Sequence, residues 1–519
     1  MRIALTLPGG IATGAFEAGA VGALLAWTQE VNARTADSVV VDVIAGASGG
    51  ALTGLLAARV LLAGDDPVDV FHRAWVAAPS LRALRGTDRW APLSLRTARN
   101  VAHKLVFAPR GRGWPRRQTA EVKLDLALGC LRGLASEIAL NGVSEDRRRP
   151  LLATSYLDWS RFALDQAPDG SQSAEEKWRG AIDSALASAS HPLAFRAREL
   201  NREIKEYLGR GIVNLPAGEE PLRLWYTDGG LFDNEPFGRC LARVAEVDTG
   251  DTPSRLVILL RAGTRSPIPS DNPAWTAKGR PRWTQTLWRV LDLVATHAAD
   301  QDLQHLETVN ARLRWTNHVA AAIAEVVAER DETYDHLRQV LSTIMQERGQ
   351  PDLAKGEDPV SASAGRGNLA ELVESLVRAA SGLDDKRHVH VAVFAPDPAS
   401  LGPPSMGGVV GFIQRGHRED RFVAGFRSML NSITESPRIE ARVGRELTID
   451  AAAAAQSKVH RSSDGRAAWL RSPGISRRDR FELTQLGFRV LKIAWRDLDD
   501  YLDKRESRQR GAVRRRSSR

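Results

Sequence analysis

The chain has 519 residues, 43% hydrophobic and 26% charged, with a net charge of +9. At roughly 150 residues per domain this length predicts about two to four domains, and the composition excludes a wholly disordered, collagen-like or coiled-coil chain. Two cysteines, Cys130 and Cys240, exclude a disulfide-dense scaffold, and without a Cys-x-x-Cys pair no zinc knuckle is expected.

Arg2–Leu7 alternates and runs into Pro8, Gly9 and Gly10, which predicts a strand ending in a tight loop. Thr13–Glu30 has small and apolar residues at helical spacing. Gly9, Gly10, Gly14, Gly19 and Glu17 interrupt the apolar run from Met1 to Trp27, so it reads as strand, loop and helix rather than as a secretory signal. Val39–Ala45 is short and β-branched, hence a buried strand. The turn Gly46–Gly50 and an apolar helix to about Leu62 follow. Strand, helix, strand, turn and helix make a βαβ unit, so an α/β protein with a mainly parallel central sheet is expected. Further strands are expected at Leu151–Tyr156, Leu222–Thr227, Arg255–Arg261 and His388–Phe394, with helices at Ala120–Leu140 and Lys177–Ala189 between them. Cys130 is expected in the core of the Ala120–Leu140 helix.

The organisation that results is a core over 1–262, a mainly helical insertion over 263–385, and a closing strand and helix of the core over 386–435. From 436 to 519 a linker, an amphipathic helix (Phe481–Asp503) and a basic tail follow. The linker is expected over Ala451–Ala455 and the Ser/Gly/Arg-rich stretch to Asp479. The longest apolar runs, such as Gly50–Gly64, stop short of a membrane span, so a cytoplasmic protein is expected.

Charge is concentrated in two places. Lys504–Arg519 carries eight basic residues and one acidic, and Leu81–Arg117 carries ten and one, which leaves the remainder of the chain at −7. The second segment interleaves Trp90, Leu95, Val101, Leu105, Val106, Phe107 and Trp114 with its arginines, a mix suited to peripheral contact with an anionic membrane. The tail has no interleaved aromatics, so a stacking platform for nucleic acid is not expected there.

Gly46, Ala47, Ser48, Gly49 and Gly50 form a G-x-S-x-G between a predicted strand and a predicted helix. A serine on so cramped a turn needs glycine neighbours, projects its Oγ, and meets the dipole of the following helix, which marks Ser48 as a nucleophile. Ser48 comes too early for an α/β-hydrolase, and none of the 11 histidines stands in an evident triad signature. A Ser–Asp–His triad would need a histidine beside Ser48. The alternative is a carboxylate acting directly on the serine, and Asp228, followed by Gly229 and Gly230 at the end of the predicted Leu222–Thr227 strand, supplies one. The third element is Pro8–Gly14, where the Gly9, Gly10 and Ile11 amides before a helix start make an anion nest, read here as an oxyanion hole. No G-x-G-x-x-G or Walker lysine supports a nucleotide in that nest. His297, Asp300 and His305 fit no common metal spacing, so neither metal nor cofactor is expected.

These three motifs, in this order, resemble the patatin-like phospholipase family. The stretches Gly9–Gly19 and Asp228–Gly238 are similar to that family's oxyanion loop and aspartate segment, and Ala187–Pro192 to its pocket-lining segment. The resemblance is strong over residues 1–262, weaker over His388–Asp397 and Gly411–Asn431, and absent from the insertion and tail. It implies a three-layer α/β/α fold, a Ser48–Asp228 dyad and hydrolysis of fatty-acyl esters of phospholipids or related lipids through an acyl-enzyme. The sequence departs from the family at Thr13, where many relatives carry arginine, and at Ile11, where they carry a third glycine. Backbone amides survive both changes, so the hole is expected to remain. A weakly catalytic domain acting as a membrane- or partner-binding module is the rival reading.

Overall fold

The computed structural model describes residues 1–10, 14–35, 39–84, 91–109, 119–138, 151–168, 171–192, 194–216, 221–248, 255–261, 304–316, 318–319, 389–395 and 415–462, with Gln485, Arg489 and Lys492. It divides into two compact units, Met1–Ala299 with Val391–Arg519, and Asp300–His390.

The first unit is built on an eight-stranded sheet. The strands are β1 (Arg2–Leu7), β2 (Val40–Gly46), β3 (Val122–Ile138), β4 (Leu151–Leu164), β5 (Arg198–Arg202), β6 (Leu222–Asp228), β7 (Arg255–Leu260) and β8 (His390–Phe394). Their order is β5-β6-β3-β2-β1-β7-β8, with β4 paired to β3. The centre is parallel, β3 to β2 to β1 to β7, and β4, β5 and β6 add antiparallel pairs on one flank.

Successive residues on β1 and β3 point to opposite faces of the sheet and so sort the helices into layers. Ile3, Leu5, Leu7, Ile44, Leu124 and Leu126 enter one apolar core. That core also takes in α1 (Gly14–Arg34), α2 (Gly49–Ala63) and α6 (Gln172–Ser188). Asp125 points to the other face, where it meets Arg243 of α7 (Phe237–Val247) at 3.2 Å. This is the three-layer α/β/α arrangement expected from the sequence.

Two short helices, α3 (Pro67–His72) and α4 (Leu81–Leu84), flank a π-helical turn at Arg73–Ala77 and lead to α5 (Arg96–Val106). After the sheet closes come α8 (Arg415–Thr434), α9 (Pro437–Val443) and α10 (Arg445–Ser462). α8 crosses α1 at a pair of glycines: a Cβ on Gly19 would run into the Phe422 carbonyl, and one on Gly425 into that of Phe16. In the second unit, residues 304–316 are helical, and the Asn310 side chain both donates to the Val389 carbonyl (2.9 Å) and accepts from the Val389 amide (3.2 Å).

Three expectations are corrected. Ala120–Leu140 is not a helix: residues 122–138 are β3, so Cys130 is buried in a strand. A bulge between Gly129 and Leu134, with Gly133 at φ +77, shifts the phase of the alternation there. Leu131, Leu134 and Ile138 consequently fall at helical spacing within a strand. Ala451–Ala455 is not a linker but lies within α10, because alanine is the best helix former and its small side chains allow close packing. Ala451, Ala452, Ala455 and Val459 are buried in the main core, and Lys458 pairs with Glu30 of α1 at 2.8 Å. The apolar residues of 81–117 do not face outward where described: Leu105 and Val106 are buried, and Leu95, Val101 and Phe107 pack against the core. Trp90, Trp114, most of the insertion, the basic tail and most of the Phe481–Asp503 helix lie outside the described residues. Among the described residues no helix is long and apolar enough to cross a membrane.

Candidate active site

Strand register brings the motifs together. Leu7 pairs with Gly46, Gly46 with Leu126, and two residues further along β3 Leu128 pairs with Asp228. The ends of β1, β2 and β6 therefore share one edge of the sheet. β6 runs antiparallel to β3, so Asp228 descends to this edge, whereas Ser48 rises to it.

Ser48 sits between β2 and α2 with φ 49 and ψ −118, the one non-glycine residue with positive φ among the described residues. Such a strained conformation persists only where its surroundings fix it. The Ser48 amide donates to the Ser188 hydroxyl at 2.8 Å, and that hydroxyl donates to the Ala127 carbonyl at 2.6 Å. The Ala47 amide donates to the Leu7 carbonyl at 3.1 Å. Gly50 lies so close to the Leu7 carbonyl that a side chain there would collide with it.

The Ser48 hydroxyl donates to Oδ2 of Asp228 at 2.7 Å across 180 positions of sequence. Oδ1 of Asp228 accepts from the Gly230 amide at 2.7 Å. The Asp228 amide and the Thr227 hydroxyl both donate to the Ser190 carbonyl, at 3.1 and 3.0 Å. Gly229 and Gly230 open the 3-10 turn that follows. The carboxyl is 2% exposed, and burial pushes its pKa up to about 7 against the pull of those two hydrogen bonds. Neither partner of the carboxyl is a histidine.

The glycine loop is altered from expectation at one position. The Gly9 amide donates to the Asn234 carbonyl at 2.8 Å, so it is already engaged and does not serve an oxyanion. Gly10 lies at the mouth of the pocket beside Ser48. Ile11 and Thr13 lie outside the described residues.

From Ser48 a cavity of about 110 Å³ opens, lined by Leu52 and Leu56 of α2, Trp75 of the π turn, Leu95 and Val101, with no charged side chain among its walls. No group of three His, Cys, Asp or Glu that could hold a metal occurs among the described residues. His297 and Asp300 lie outside those residues.

Sequence reasoning missed the positioning of Ser48 by Ser188 and of Gly9 by Asn234. Both residues stand in quoted stretches, Ala187–Pro192 and Asp228–Gly238, but their partners are distant in sequence. The wall supplied by Trp75 carries no signal in spacing at all.

The family model for patatin-like phospholipase matches residues 5–241, which span all three motifs. Residues 5–241 belong to the patatin-like phospholipase family. Membership carries lipid hydrolase activity of the phospholipase type in general. No curated protein matches the chain. Among solved structures, VipD from Legionella pneumophila is similar at 11% identity and a TM-score of 0.23, over 98% of this chain and 87% of that one. The patatin-like match ends within α7, whereas α8 and α10, beyond it, pack directly on α1.

Proposed function

We propose that the patatin-like domain is a serine acyl hydrolase in which Ser48 and Asp228 form a dyad acting on fatty-acyl esters of phospholipids or related lipids. The observation that carries this reading is the 2.7 Å hydrogen bond from Ser48 Oγ to a buried carboxyl that has no cation partner among the described residues. Ser48 Oγ attacks the ester carbonyl carbon while Asp228 takes its proton. The developing oxyanion is held by the Gly10 and Ile11 amides, each worth about 3 kcal/mol. Asp228 then gives the proton to the leaving alcohol as the C–O bond breaks, leaving an ester between the acyl group and Ser48. A water loses a proton to Asp228, attacks the acyl carbon, and releases the fatty acid as Ser48 recovers its proton. The uncharged pocket suits the acyl chain and not a headgroup.

Peripheral contact with an anionic membrane rests on the arginines of 81–117. The test of the dyad is lipid-product mass spectrometry of wild type against Ser48→Ala, with fluorophosphonate labelling of Ser48. Free fatty acid that appears only with intact Ser48 supports the reading. Unlabelled Ser48 and no hydrolysis in the wild type would instead favour a binding module.

A further inference from the structure

The apolar residues of 81–117 that the structure describes turn into the core and leave little apolar surface there for a lipid layer. Exposed apolar groups gather elsewhere. Nine large hydrophobic side chains are exposed among the described residues, and seven of them lie on β3, β4, β6 and the loops that follow β5 and β6. The cause is a sheet flank that is apolar on both faces. On one face Leu128, Cys130, Leu224 and Tyr226, with Ile212, form a second small core. Their chain neighbours Leu131 and Trp225 turn to the opposite face, as alternation along a strand requires, and that face is exposed. An antiparallel flank with one solvated face ordinarily carries polar residues there. A cluster of large apolar groups on such a face marks an interaction site.

The patch borders the dyad. Phe232 stands four positions after Asp228, and its amide donates to the Gly229 carbonyl at 3.0 Å. Its ring lies on Gly129, where a Cβ would collide both with it and with the Thr227 methyl. The Tyr156 ring stacks on that of Phe232, with centroids 6.4 Å apart and planes at 22°. Leu131, Tyr156, Trp225 and Phe232 are 41% to 52% exposed. Two exposed arginines flank them. Arg132, next to Leu131, donates to the Asn214 carbonyl at 2.9 Å, and the Arg196 guanidinium stands 5.6 Å from the centre of the Trp225 ring. Neither forms an ion pair among the described residues. β3 and β4 run on past Leu126, where β2 ends, to Ile138 and Leu151, so the patch stands beyond the sheet edge that carries Ser48.

We propose that this face is a lipid-docking surface, an inference that rests on the lipid acyl hydrolase reading: Leu131, Tyr156, Trp225 and Phe232 enter the interfacial layer of a phospholipid surface while Arg132 and Arg196 meet its phosphates. Tyrosine and tryptophan each join an apolar body to a polar tip, which suits the headgroup level of a lipid layer, and the arginine fork matches phosphate. An ester dissolved in water would need no such surface. An ester packed among other lipids is reached only when the catalytic edge is held against the layer, and the patch adjoins the turn that carries Asp228.

The test reads binding apart from turnover. The full chain carrying Ser48→Ala is floated with phosphatidylcholine vesicles, with and without phosphatidylserine. It should bind phosphatidylcholine alone, and more tightly once phosphatidylserine is present. Leu131→Ser and Trp225→Ser in that background should each weaken binding by about tenfold. Ile449→Ser, which removes a comparably exposed hydrophobic from α10, should not. Arg132→Gln and Arg196→Gln should remove only the gain from phosphatidylserine. With Ser48 intact, Leu131→Ser and Trp225→Ser should lower hydrolysis of vesicle phospholipid by a similar factor, yet leave turnover of a soluble p-nitrophenyl ester and the circular dichroism spectrum unchanged. Hydrolysis that survives Ser48→Ala while docking behaves in this way would sink the dyad and leave the docking surface standing. Undiminished binding in both patch variants, no binding of the Ser48→Ala chain to phosphatidylcholine, or an equal loss in Ile449→Ser overturns the proposal. So does a concentration-dependent dimer that Trp225→Ser dissociates while vesicle binding persists, which would assign the face to a second copy of the chain.

Discussion

Two buried aspartates near the same strand end are held in opposite ways. Asp158 on β4 is fully buried and accepts from Arg210 at 2.9 Å, from Tyr207 at 3.0 Å and from Tyr226 at 2.9 Å, with Arg202 at 3.9 Å. Asp228, two residues from Tyr226 on β6, has a serine hydroxyl and a backbone amide and, among the described residues, no cation. A carboxylate paired with guanidinium groups and phenols is committed to holding them, because removing it would leave buried cations without a partner. One held by neutral donors can gain and lose a proton at modest cost. The contrast separates a group that stiffens the flank of the sheet from one able to shuttle a proton.

The contrast breaks if the roles can be exchanged. The largest effect is expected at the site: Ser48→Ala and Asp228→Asn should each lower ester hydrolysis by at least about 10³-fold with the fold retained, read by product mass spectrometry and circular dichroism. Asp158→Ala should instead cost about 3–5 kcal/mol of stability in denaturant titration, since it strands Arg202 and Arg210 in the interior. Loss of activity in Asp158→Asn with stability unchanged would show that Asp158 belongs to the chemistry after all. A smaller effect tests the apolar side of the site. Leu56 stands two helical turns beyond Ser48 along the pocket wall. Leu56→Trp should lower kcat/KM for long-chain esters by about tenfold and leave short-chain esters nearly unaffected. Equal loss on both would mean that the chain does not lie there.

The legibility of the molecule follows the same division. Ser48 and Asp228 could be read because each needs local glycines at fixed offsets, and those are written within a few residues. The central strands could be read because burial on both faces makes them short apolar runs. The β3 strand could not, since a bulge erases period two over its middle. Nor could the engagement of Gly9, whose amide is taken by Asn234, 225 positions away. The ring of cations and phenols around Asp158 draws on β4, β5, β6 and the loop after β5, and no spacing announces it. α10 was hidden for another reason: a run of alanines has no amphipathic contrast, yet it forms a helix and packs tightly.

The smallest effect tests the cost of leaving Asp228 without a cation. Burial pushes its pKa up to about 7 from the ordinary aspartate value of 3.8, so between those values the folded protein holds a proton that the unfolded chain has released. Stability contributed by this group must therefore fall as pH rises across that window and stay low above it. Asp228→Asn removes the penalty. It should melt a few degrees above wild type at about pH 8, and the difference should vanish near about pH 3.5, where both forms are neutral. A variant that gains activity-independent stability in this way would show that the site is poised at the expense of the fold. A variant less stable than wild type at alkaline pH would mean that the Asp228 carboxylate is needed to hold the structure, and the distinction between the two carboxylates would fail.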